Sequence, residues 1–330
     1  MRFAVLAVVL AIVVVGACGG DDTTPCDSHV ASAGPPVTAT THAIVELDPE
    51  PTRVVYALSD IHGGYDRFAA LLAGNHVIDG VPKTPAEVAW AAGDAILVVA
   101  GDLIDKGPQP VEVIDSLRAL ETGAAAKGGQ VVVLLGNHEV EFFADPSNSK
   151  ASGKDGFNKE LAAENIDCGK VAAGVDERGA WLRDRPLGAR VGKWFFSHAG
   201  NTKGRSVADL DKTLRDALNE ASPFGGSEMV GDDSIVEARG WYGNPDVTKA
   251  NATALGVAHF VFGHDPNALG ARGSIATAQD GQLFRIDCGM SPDVDDSSGC
   301  ILRIRHDGAD VVAEQLKSDG STENLFRGQN

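Results

Sequence analysis

Short apolar runs alternate with segments of helix-like spacing from about residue 53 onward. Runs of five or six apolar or β-branched residues predict strands at 53–58, 95–100, 131–135, 193–197, 258–262 and 282–286. Between several of these runs, apolar residues recur at helical spacing, in 66–73, 110–127 and 207–221. Continuous apolar runs of this length are typical of strands that are covered on both faces. The alternation predicts an α/β fold built on buried sheets.

Polar side chains follow the first five predicted strands, at the point where each strand ends. The turns there read DIHG from residue 60, GDLIDKG from residue 101, GNHE from residue 136, HAG from residue 198 and GHDP from residue 263. In α/β proteins, ligands bind at the carboxyl ends of the strands, in the loops found there. Turns rich in Asp, Asn and His that converge on one edge therefore predict a metal site.

The residue types in these turns suit two divalent cations. Asp60 and His62 are two positions apart, so both side chains point to the same side of an extended segment. A carboxylate beside an imidazole suits a hard or borderline cation, and Asp102 is placed to bridge two cations. Because only two of the six candidates are acidic, two cations keep a surplus charge of about +2, which matches a phosphate dianion. The candidate ligands are Asp60, His62, Asp102, Asn137, His198 and His264.

Composition excludes several classes of protein. With 330 residues, of which 43% are hydrophobic and 22% charged, the chain can bury a large core and is not a disordered or fibrous protein. Its net charge of −18 predicts repulsion of nucleic acid, so we expect no nucleic-acid partner. A phosphate-bearing substrate then requires strong local positive charge, which metal ions supply.

The N-terminal sequence predicts an export signal. Met1 and Arg2 precede an unbroken apolar stretch at 3–15, which is too short to cross a membrane as a helix. The stretch ends in VGAC, which is similar to the lipobox of bacterial lipoproteins and makes Cys18 the predicted site of lipidation. The alternatives are an ordinary signal peptide and an uncleaved anchor. We expect an exported protein of the cell envelope, held at a membrane by its N-terminal lipid.

The sequence predicts four successive segments. We expect a lipoprotein signal peptide at 1–17, a flexible tether at 18–43, the folded domain at 44–318 and a C-terminal tail at 319–330. Without Cys18, four cysteines remain, and an even number in an oxidising compartment favours disulfides, with three possible connectivities. Cys288 and Cys300 lie at the facing ends of two strand-like runs and are predicted to close a hairpin. The alternative is that both are small buried apolar residues.

The five turns occur in the order found in the calcineurin-like metallophosphoesterases, which the chain resembles from about residue 54 to residue 291. The GNHE turn is similar to that of the phosphoprotein phosphatase branch. The segments 128–139 and 286–291 look most like the bacterial Shewanella-like phosphatases. The resemblance implies a sandwich of two β-sheets flanked by helices, with a dinuclear centre of Mn, Fe or Zn at the carboxyl ends of the strands. It also implies that Asp102 is shared by both metals. Asp60 and His62 would bind one metal, and the other would be bound by Asn137, His198 and His264.

The resemblance also implies roles outside the metal ligands. His138 is expected to be the general acid that protonates the leaving oxygen, with Asp105 holding its imidazole. Lys106 stands where the family usually has Arg, so it keeps the positive charge without the bidentate fork, and Arg239 is a second candidate for binding phosphate. Asp265 replaces the usual Thr after the last histidine.

The predicted function is therefore hydrolysis of phosphate monoesters by attack of a metal-bridging hydroxide. Phosphorylated protein, at Ser/Thr or Tyr, is the favoured substrate. The alternatives are a hydrolase of dinucleotide polyphosphates or small phosphate esters, and a non-catalytic envelope lipoprotein on the same scaffold. Metal content separates the enzymes from the binding protein, because an intact enzyme binds about two divalent ions per chain.

Overall fold

Two six-stranded β-sheets pack face to face in a computed structural model that describes residues 42–292 and 297–329. The first sheet has the order β12-β11-β10-β2-β3-β4, and the second has the order β1-β5-β6-β7-β9-β8. The strands of the first sheet are β2 (Val55–Leu58), β3 (Ile96–Val99), β4 (Gln130–Val133), β10 (Ile301–Asp307), β11 (Asp310–Leu316) and β12 (Thr322–Gly328). Those of the second are β1 (Ile44–Leu47), β5 (Gly188–Val191), β6 (Trp194–Ser197), β7 (His259–Phe262), β8 (Ala276–Ala278) and β9 (Leu283–Arg285).

Both sheets have a parallel centre. In the first sheet β2, β3 and β4 run parallel, and in the second β6, β7 and β9 run parallel. Antiparallel strands extend each sheet outward, with β10 beside β2 and β5 beside β6. The parallel strands therefore bring their carboxyl ends to one edge of the sandwich, which is the edge that the polar turns occupy.

Helices cover the outer faces of the sheets. The described helices are α1 (Tyr65–Gly74), α2 (Pro110–Ala125), α3 (Asn137–Ala144), α4 (Phe157–Ala163), α5 (Cys168–Ala172), α6 (Glu177–Arg183), α7 (Val207–Leu218), α8 (Ser227–Val230) and α9 (Pro245–Leu255). Short 3₁₀ helices lie at Pro85–Glu87 and Trp241–Gly243. None of the helices in the described part of the chain has the length and apolar character that a membrane span requires.

Burial on both faces explains the continuous apolar runs. Val98 of β3 and Val261 of β7 belong to the core layer between the two sheets. Their neighbours Val99 and Phe262 point the opposite way, into the core that the helices cover. Since successive side chains of a strand alternate between faces, a strand in this position needs apolar residues at every position. The six strands predicted from sequence are all present, and the predicted α/β fold with two sheets flanked by helices is confirmed.

The ends of the domain differ from the prediction. Residues 319–330 were expected to form a tail, but β12 pairs antiparallel with β11 along most of its length, so the folded domain continues to Gly328. Ala43, expected to end the tether, is fully buried. The predicted signal peptide, the lipidation site Cys18 and Cys26 lie outside the described residues.

Cys288 and Cys300 are joined by a disulfide, with their Cα atoms 6.0 Å apart. The expected hairpin between them is wrong. Cys288 follows β9 of the second sheet, whereas Cys300 directly precedes β10 of the first. The reason is that β9 pairs with β7 and β8, while β10 pairs with β2 and β11. The disulfide therefore ties the two sheets together.

Candidate metal centre and active site

The polar turns of both sheets meet at the shared edge of the sandwich. One group of potential metal-binding side chains consists of Asp60, Asp102 and His198, and a second consists of His62, Asp102 and His138. Within each group the ligand atoms lie within 4.8 Å of one another, and every member is buried. Asp102 belongs to both groups, as expected of a residue that bridges two cations.

The backbone of these turns is unusual. Six predicted site residues that are not glycine have φ between 47° and 65°, in the left-handed region that L-residues seldom adopt. Such conformations cost about 1–3 kcal/mol each and persist where the surrounding structure enforces them. Their concentration at one edge marks it as a functional site. The six are Asp60, His62, Asp102, Asp105, Lys106 and His264.

Glycines allow the turns to approach one another closely. A Cβ on Gly136 would collide with the Asp102 side chain, and a Cβ on Gly263 would collide with that of Asp60. At these two positions only a residue without a side chain leaves room for the carboxylates. The glycines of the GNHE and GHDP turns are therefore part of the site's geometry.

Two of the three predicted histidine ligands are oriented in the same way. His62 Nδ1 donates to the carbonyl oxygen of Ile104 at 3.0 Å, and His198 Nδ1 donates to that of Ala100 at 2.8 Å. A carbonyl oxygen can only accept, so each contact fixes the proton on Nδ1 and turns Nε2 toward the carboxylates. His62 Nε2 lies 3.4 Å from Asp102 Oδ2, and His198 Nε2 lies 3.3 Å from Asp102 Oδ1.

His264 follows the same rule with its nitrogens exchanged. Its Nε2 donates to the carbonyl oxygen of Glu237 at 3.1 Å, and its Nδ1 lies 3.2 Å from Asn137 Oδ1. The same amide oxygen lies 3.1 Å from His198 Nε2. Asn137 Oδ1 and the two histidine nitrogens therefore converge on one point, as the second set of predicted ligands requires.

His138 is held differently from these three histidines. Its Nδ1 contacts a carboxylate, Asp105 Oδ2, at 2.6 Å, and its Nε2 lies 3.9 Å from Asp102 Oδ2. The other oxygen of Asp105 accepts the backbone N–H of Phe157 at 2.7 Å. Because Asp105 holds Nδ1, the Nε2 atom of His138 faces the centre of the site.

The electrostatics of the cluster favour added positive charge. Burial and then the carboxylate of Asp287 raise the pKa of Asp60 well above its usual range. Although burial opposes both shifts, the imidazoles of His198 and His138 hold the pKa of Asp102 well below its usual range, and Asp102 and Asp60 raise the pKa of His198 to about 10. Two carboxylates this close are stable together only beside a cation or a proton.

The pKa values of the other two histidines shift in the opposite direction to that of His198. Burial, with further repulsion from Lys106 and His138, lowers the pKa of His62 well below its usual range. Burial and the neighbouring His198 lower the pKa of His264 to about 3. Both imidazoles are thus neutral near pH 7, which is the form that binds a metal.

These observations show that the donor set fits divalent cations. The carboxylates, the amide oxygen and the imidazole nitrogens point into one buried space. The second nitrogen of each of the three ligand histidines is tied to a carbonyl oxygen, the arrangement typical of metal-bound histidine. The three oxygen-donor residues and the three imidazoles together suit Mn, Fe or Zn, without distinguishing among them.

Glu139 is a site residue that the sequence analysis did not single out. It is fully buried, and its carboxylate accepts four backbone N–H groups, those of Gly136, Asp102, Leu103 and Ile104, at 2.7–3.2 Å. Glu139 therefore joins the turn after β4 to the turn that carries Asp102. The sequence offered one signal, a glutamate inside the GNHE turn. A charged residue at such a position is seldom buried unless it is fully hydrogen-bonded.

The two predicted phosphate-binding residues lie at opposite sides of the site. Lys106 Nζ lies 3.1 Å from His62 Nε2. Arg239 has a side chain that is 54% exposed, donates to the carbonyl oxygen of His264 at 3.3 Å and lies 3.5 Å from Asp265 Oδ1. Asp265, which departs from the usual Thr, also accepts the hydroxyl of Tyr242 at 2.6 Å. Asp265 thus positions the arginine at the rim.

Comparison with known proteins identifies the family. The sequence pattern of the calcineurin-like phosphoesterases matches residues 53–268, more than half of the chain. The chain belongs to this family. A calcineurin-like phosphoesterase is a hydrolase of phosphate esters that uses divalent metal ions, and the cluster of Asp and His side chains described above is consistent with such a centre.

Individual relatives of this phosphoesterase differ in their activities. Shewanella-like protein phosphatase 2 of Arabidopsis thaliana is 24% identical over 315 residues, covering 78% of this chain and 76% of the relative. An uncharacterized protein of Schizosaccharomyces pombe is 28% identical over 283 residues, 80% of each chain. A symmetrical bis(5'-nucleosyl)-tetraphosphatase of Methylococcus capsulatus is 33% identical over 147 residues, but the match covers only 44% of this chain and 42% of the relative.

Solved structures show the same fold. The cold-active protein-tyrosine phosphatase of a psychrophilic Shewanella species superposes with a TM-score of 0.68 and 20% identity, covering 91% of this chain and 85% of that one. A protein serine/threonine phosphatase of Saccharomyces cerevisiae superposes with a TM-score of 0.57 and 17% identity, covering 92% and 90%. The resemblance to Shewanella-like and phosphoprotein phosphatases expected from the sequence is confirmed at the level of the fold.

Proposed function

We propose that the chain is a metal-dependent phosphatase that hydrolyses phosphate monoesters, with His138 as the general acid. The observation that carries the proposal is the contrast among four buried histidines. His62, His198 and His264 each have one nitrogen tied to a carbonyl oxygen, whereas His138 is paired with the Asp105 carboxylate. This is the difference expected between metal ligands and a proton donor.

The metal ligands are proposed in two sets. Asp60, His62 and Asp102 would hold one divalent cation, and Asp102 together with Asn137, His198 and His264 would hold the other. Two cations there would supply Lewis-acid activation of the phosphoryl group and of the attacking water. His138 would deliver a proton to the leaving oxygen, while Asp105 fixes the orientation of the ring through Nδ1.

The remaining charges would bind the phosphoryl group. Lys106 supplies a positive charge on the His62 side of the site, and Arg239 supplies one at the opposite rim, where Asp265 holds it. Because lysine lacks the bidentate fork of arginine, we expect a looser grip on phosphate from Lys106 than an arginine would give.

The favoured substrate is phosphorylated protein, at Ser/Thr or Tyr. Support comes from the Shewanella-like protein phosphatase of Arabidopsis thaliana, which the chain matches over most of its length. A dinucleotide polyphosphate is the second candidate, supported by the shorter match to the tetraphosphatase of Methylococcus capsulatus.

We also propose that the chain is exported and anchored to a membrane of the cell envelope through a lipid on Cys18. We expect the native chain to fractionate with membranes and the Cys18→Ala protein to fail to do so.

The test compares two aryl phosphates that differ in their need for a general acid. p-Nitrophenyl phosphate has a weakly basic leaving group, whereas phenyl phosphate leaves as a strongly basic phenolate. With Mn²⁺ present, we expect His138→Ala to reduce kcat for phenyl phosphate by about 10²–10⁴-fold, and for p-nitrophenyl phosphate by less. Bound metal, measured by inductively coupled plasma mass spectrometry, should stay at about two ions per chain.

A histidine outside the site, His76, provides the matched control. His76 follows Gly74 and Asn75 and so repeats the first three letters of the GNHE turn, but it is exposed and lies beyond the end of α1. His76→Ala should leave both substrates unaffected. Equal losses with the two aryl phosphates in His138→Ala would refute the role of general acid. A chain that binds no divalent metal and hydrolyses neither ester would instead be a non-catalytic protein on the same scaffold.

A further inference from the structure

A cavity of about 260 Å³ opens beside His138 and Asp105. Two sets of residues form its walls, an inner set that belongs to the site and an outer set from the segment between α3 and α4. These are Asp105, Lys106 and His138 on the inside, and Lys150, Lys154 and Asp155 on the outside. The outer residues take no part in the function proposed above.

The proposed role of His138 indicates which part of the substrate would occupy the cavity. A general acid must come within hydrogen-bond reach of the oxygen that it protonates, so the leaving group of the substrate lies next to His138. The cavity borders the same side chain and is open to solvent. On the proposed function, the leaving group would therefore lie in this cavity and the phosphoryl group over the predicted metal ligands.

The outer wall is fixed in place. Phe157, which begins α4 at the end of the outer segment, is fully buried, and its N–H is bound to Asp105. Ala151, in the middle of the segment, is also fully buried, and its carbonyl oxygen accepts the N–H of Asn158 at 3.0 Å. The side chains of Lys150 and Lys154 thus project from an ordered loop that is tied directly to the residue that orients His138.

The charged side chains that line the cavity differ in how closely they are already paired. Asp105 is engaged by His138 and Phe157, and Lys150 is paired with Glu141. Lys154 has an 89% exposed side chain, and its nearest carboxylate, that of Asp155, is 4.0 Å away. In a chain with a net charge of −18, an exposed lysine at the mouth of this cavity offers a local site for an anion.

We propose that the enzyme prefers phosphate monoesters whose leaving group carries a second anionic group, which Lys154 binds at the mouth of the cavity. The proposal rests on the proposed function, because it assumes that His138 protonates the leaving oxygen. It extends that function by naming a charge requirement on the part of the substrate that is released. In a phosphorylated protein, the second anion would be an acidic side chain near the phosphorylated residue.

The experiment uses two probes of nearly equal size, 4-carboxyphenyl phosphate and its neutral analogue 4-carbamoylphenyl phosphate. With the full chain loaded with Mn²⁺, we expect kcat/KM to be about fivefold higher for the carboxylate, mainly through a lower KM, which is the range of one exposed ion pair. The preference should shrink as salt rises, because exposed charges are screened. Ligand-observed NMR with the two released phenols gives a second measure that does not require turnover, and 4-hydroxybenzoate should show the stronger saturation transfer.

Variants separate this contact from a general change in charge. Lys154→Met should abolish the preference for the carboxylate probe and leave the neutral probe unchanged. Lys159 is exposed, lies five positions further on and does not line the cavity, so Lys159→Met removes the same charge from the same region without the contact. Lys159→Met should retain the preference.

The outcomes are distinct. Equal kcat/KM for the two probes in the native chain, or equal losses in Lys154→Met and Lys159→Met, would overturn the proposal while leaving the phosphatase activity established. Hydrolysis of neither probe would overturn the proposed function, and this inference with it. A preference for the carboxylate that disappears only in Lys154→Met would establish the anionic leaving group.

Discussion

Replacing Glu139 by glutamine tests whether its carboxylate organises the site. The native side chain is fully buried and accepts two backbone N–H groups on each oxygen, Leu103 and Ile104 on Oε1, and Asp102 and Gly136 on Oε2. Glutamine has the same shape but only one acceptor oxygen. Its amide NH₂ would face two backbone N–H groups, so two buried donors would lose their partners.

The cost follows from that count. Leaving one buried donor unsatisfied costs about 1–3 kcal/mol, so two donors predict a loss of about 2–6 kcal/mol in the free energy of unfolding of Glu139→Gln. Native domains have about 5–15 kcal/mol in total, so the variant should still fold but with a clearly lower urea midpoint. Glu177→Gln, the same substitution at a glutamate whose side chain is 70% exposed and paired with Arg118, should lower the midpoint only slightly, because an exposed ion pair contributes about 0–1 kcal/mol.

The same change should weaken the metal site. Since the turn held by Glu139 carries Asp102, the bridging candidate, we expect divalent-cation affinity to fall by about 10–100-fold, as is usual when a residue that orients a ligand is lost. Isothermal titration calorimetry with Mn²⁺ measures this affinity. A Glu139→Gln protein with the native urea midpoint and native Mn²⁺ affinity would show that the four hydrogen bonds contribute nothing to stability or to the position of Asp102.

Three further predictions concern other parts of the molecule. Asp105→Asn keeps the size of the side chain but removes the carboxylate that orients His138 through Nδ1, so kcat for phenyl phosphate should fall by about 10²–10⁴-fold with metal content unchanged by mass spectrometry. Replacing Cys288 and Cys300 together by alanine removes a cross-link across 12 positions and should lower the free energy of unfolding by about 3 kcal/mol in urea titrations. Hydrogen bonds from two arginines of β10 lower the pKa of Glu314 below its ordinary value of 4.5, although burial opposes the shift. A depressed folded-state pKa means that this stabilisation is present above about pH 4.5 and is lost as the pH falls further, so urea midpoints of the native chain should drop over that range by more than those of Glu314→Gln.

The central strands could be predicted from sequence because their apolar pattern is a direct consequence of burial on both faces. Edge strands lack that pattern. In β12 the first three residues are exposed and the rest are exposed or half-buried, so no apolar run distinguishes it from a tail. Its pairing with β11 is what makes it a strand, and pairing partners are not encoded in local composition. The expected hairpin between Cys288 and Cys300 failed for the same reason, since β9 pairs with β7 and β8 while β10 pairs with β2 and β11, which places the two strands in different sheets.

The predicted ligands could be found because each lies in a short turn directly after an apolar run. The contribution of Glu139 could not be found in this way. Its hydrogen bonds to the turn after β3 span 35–37 residues, and nothing in the sequence shows which backbone N–H groups a buried carboxylate will meet. Similarly, the contact between Asp105 and the N–H of Phe157 joins residues 52 positions apart.

The position of the site at the edge of the sandwich explains how the fold accommodates it. Left-handed backbone, buried carboxylates and neutral buried imidazoles are each unfavourable, and here they occur together. The strands that lead into these turns are almost entirely buried, and the disulfide between Cys288 and Cys300 joins the two sheets beside them. The apolar sandwich thus supplies the free energy that keeps the turns in place, and Glu139 fixes two of them to each other. Rigid strands with strained ends hold acidic and basic groups at the short distances that the proposed chemistry requires.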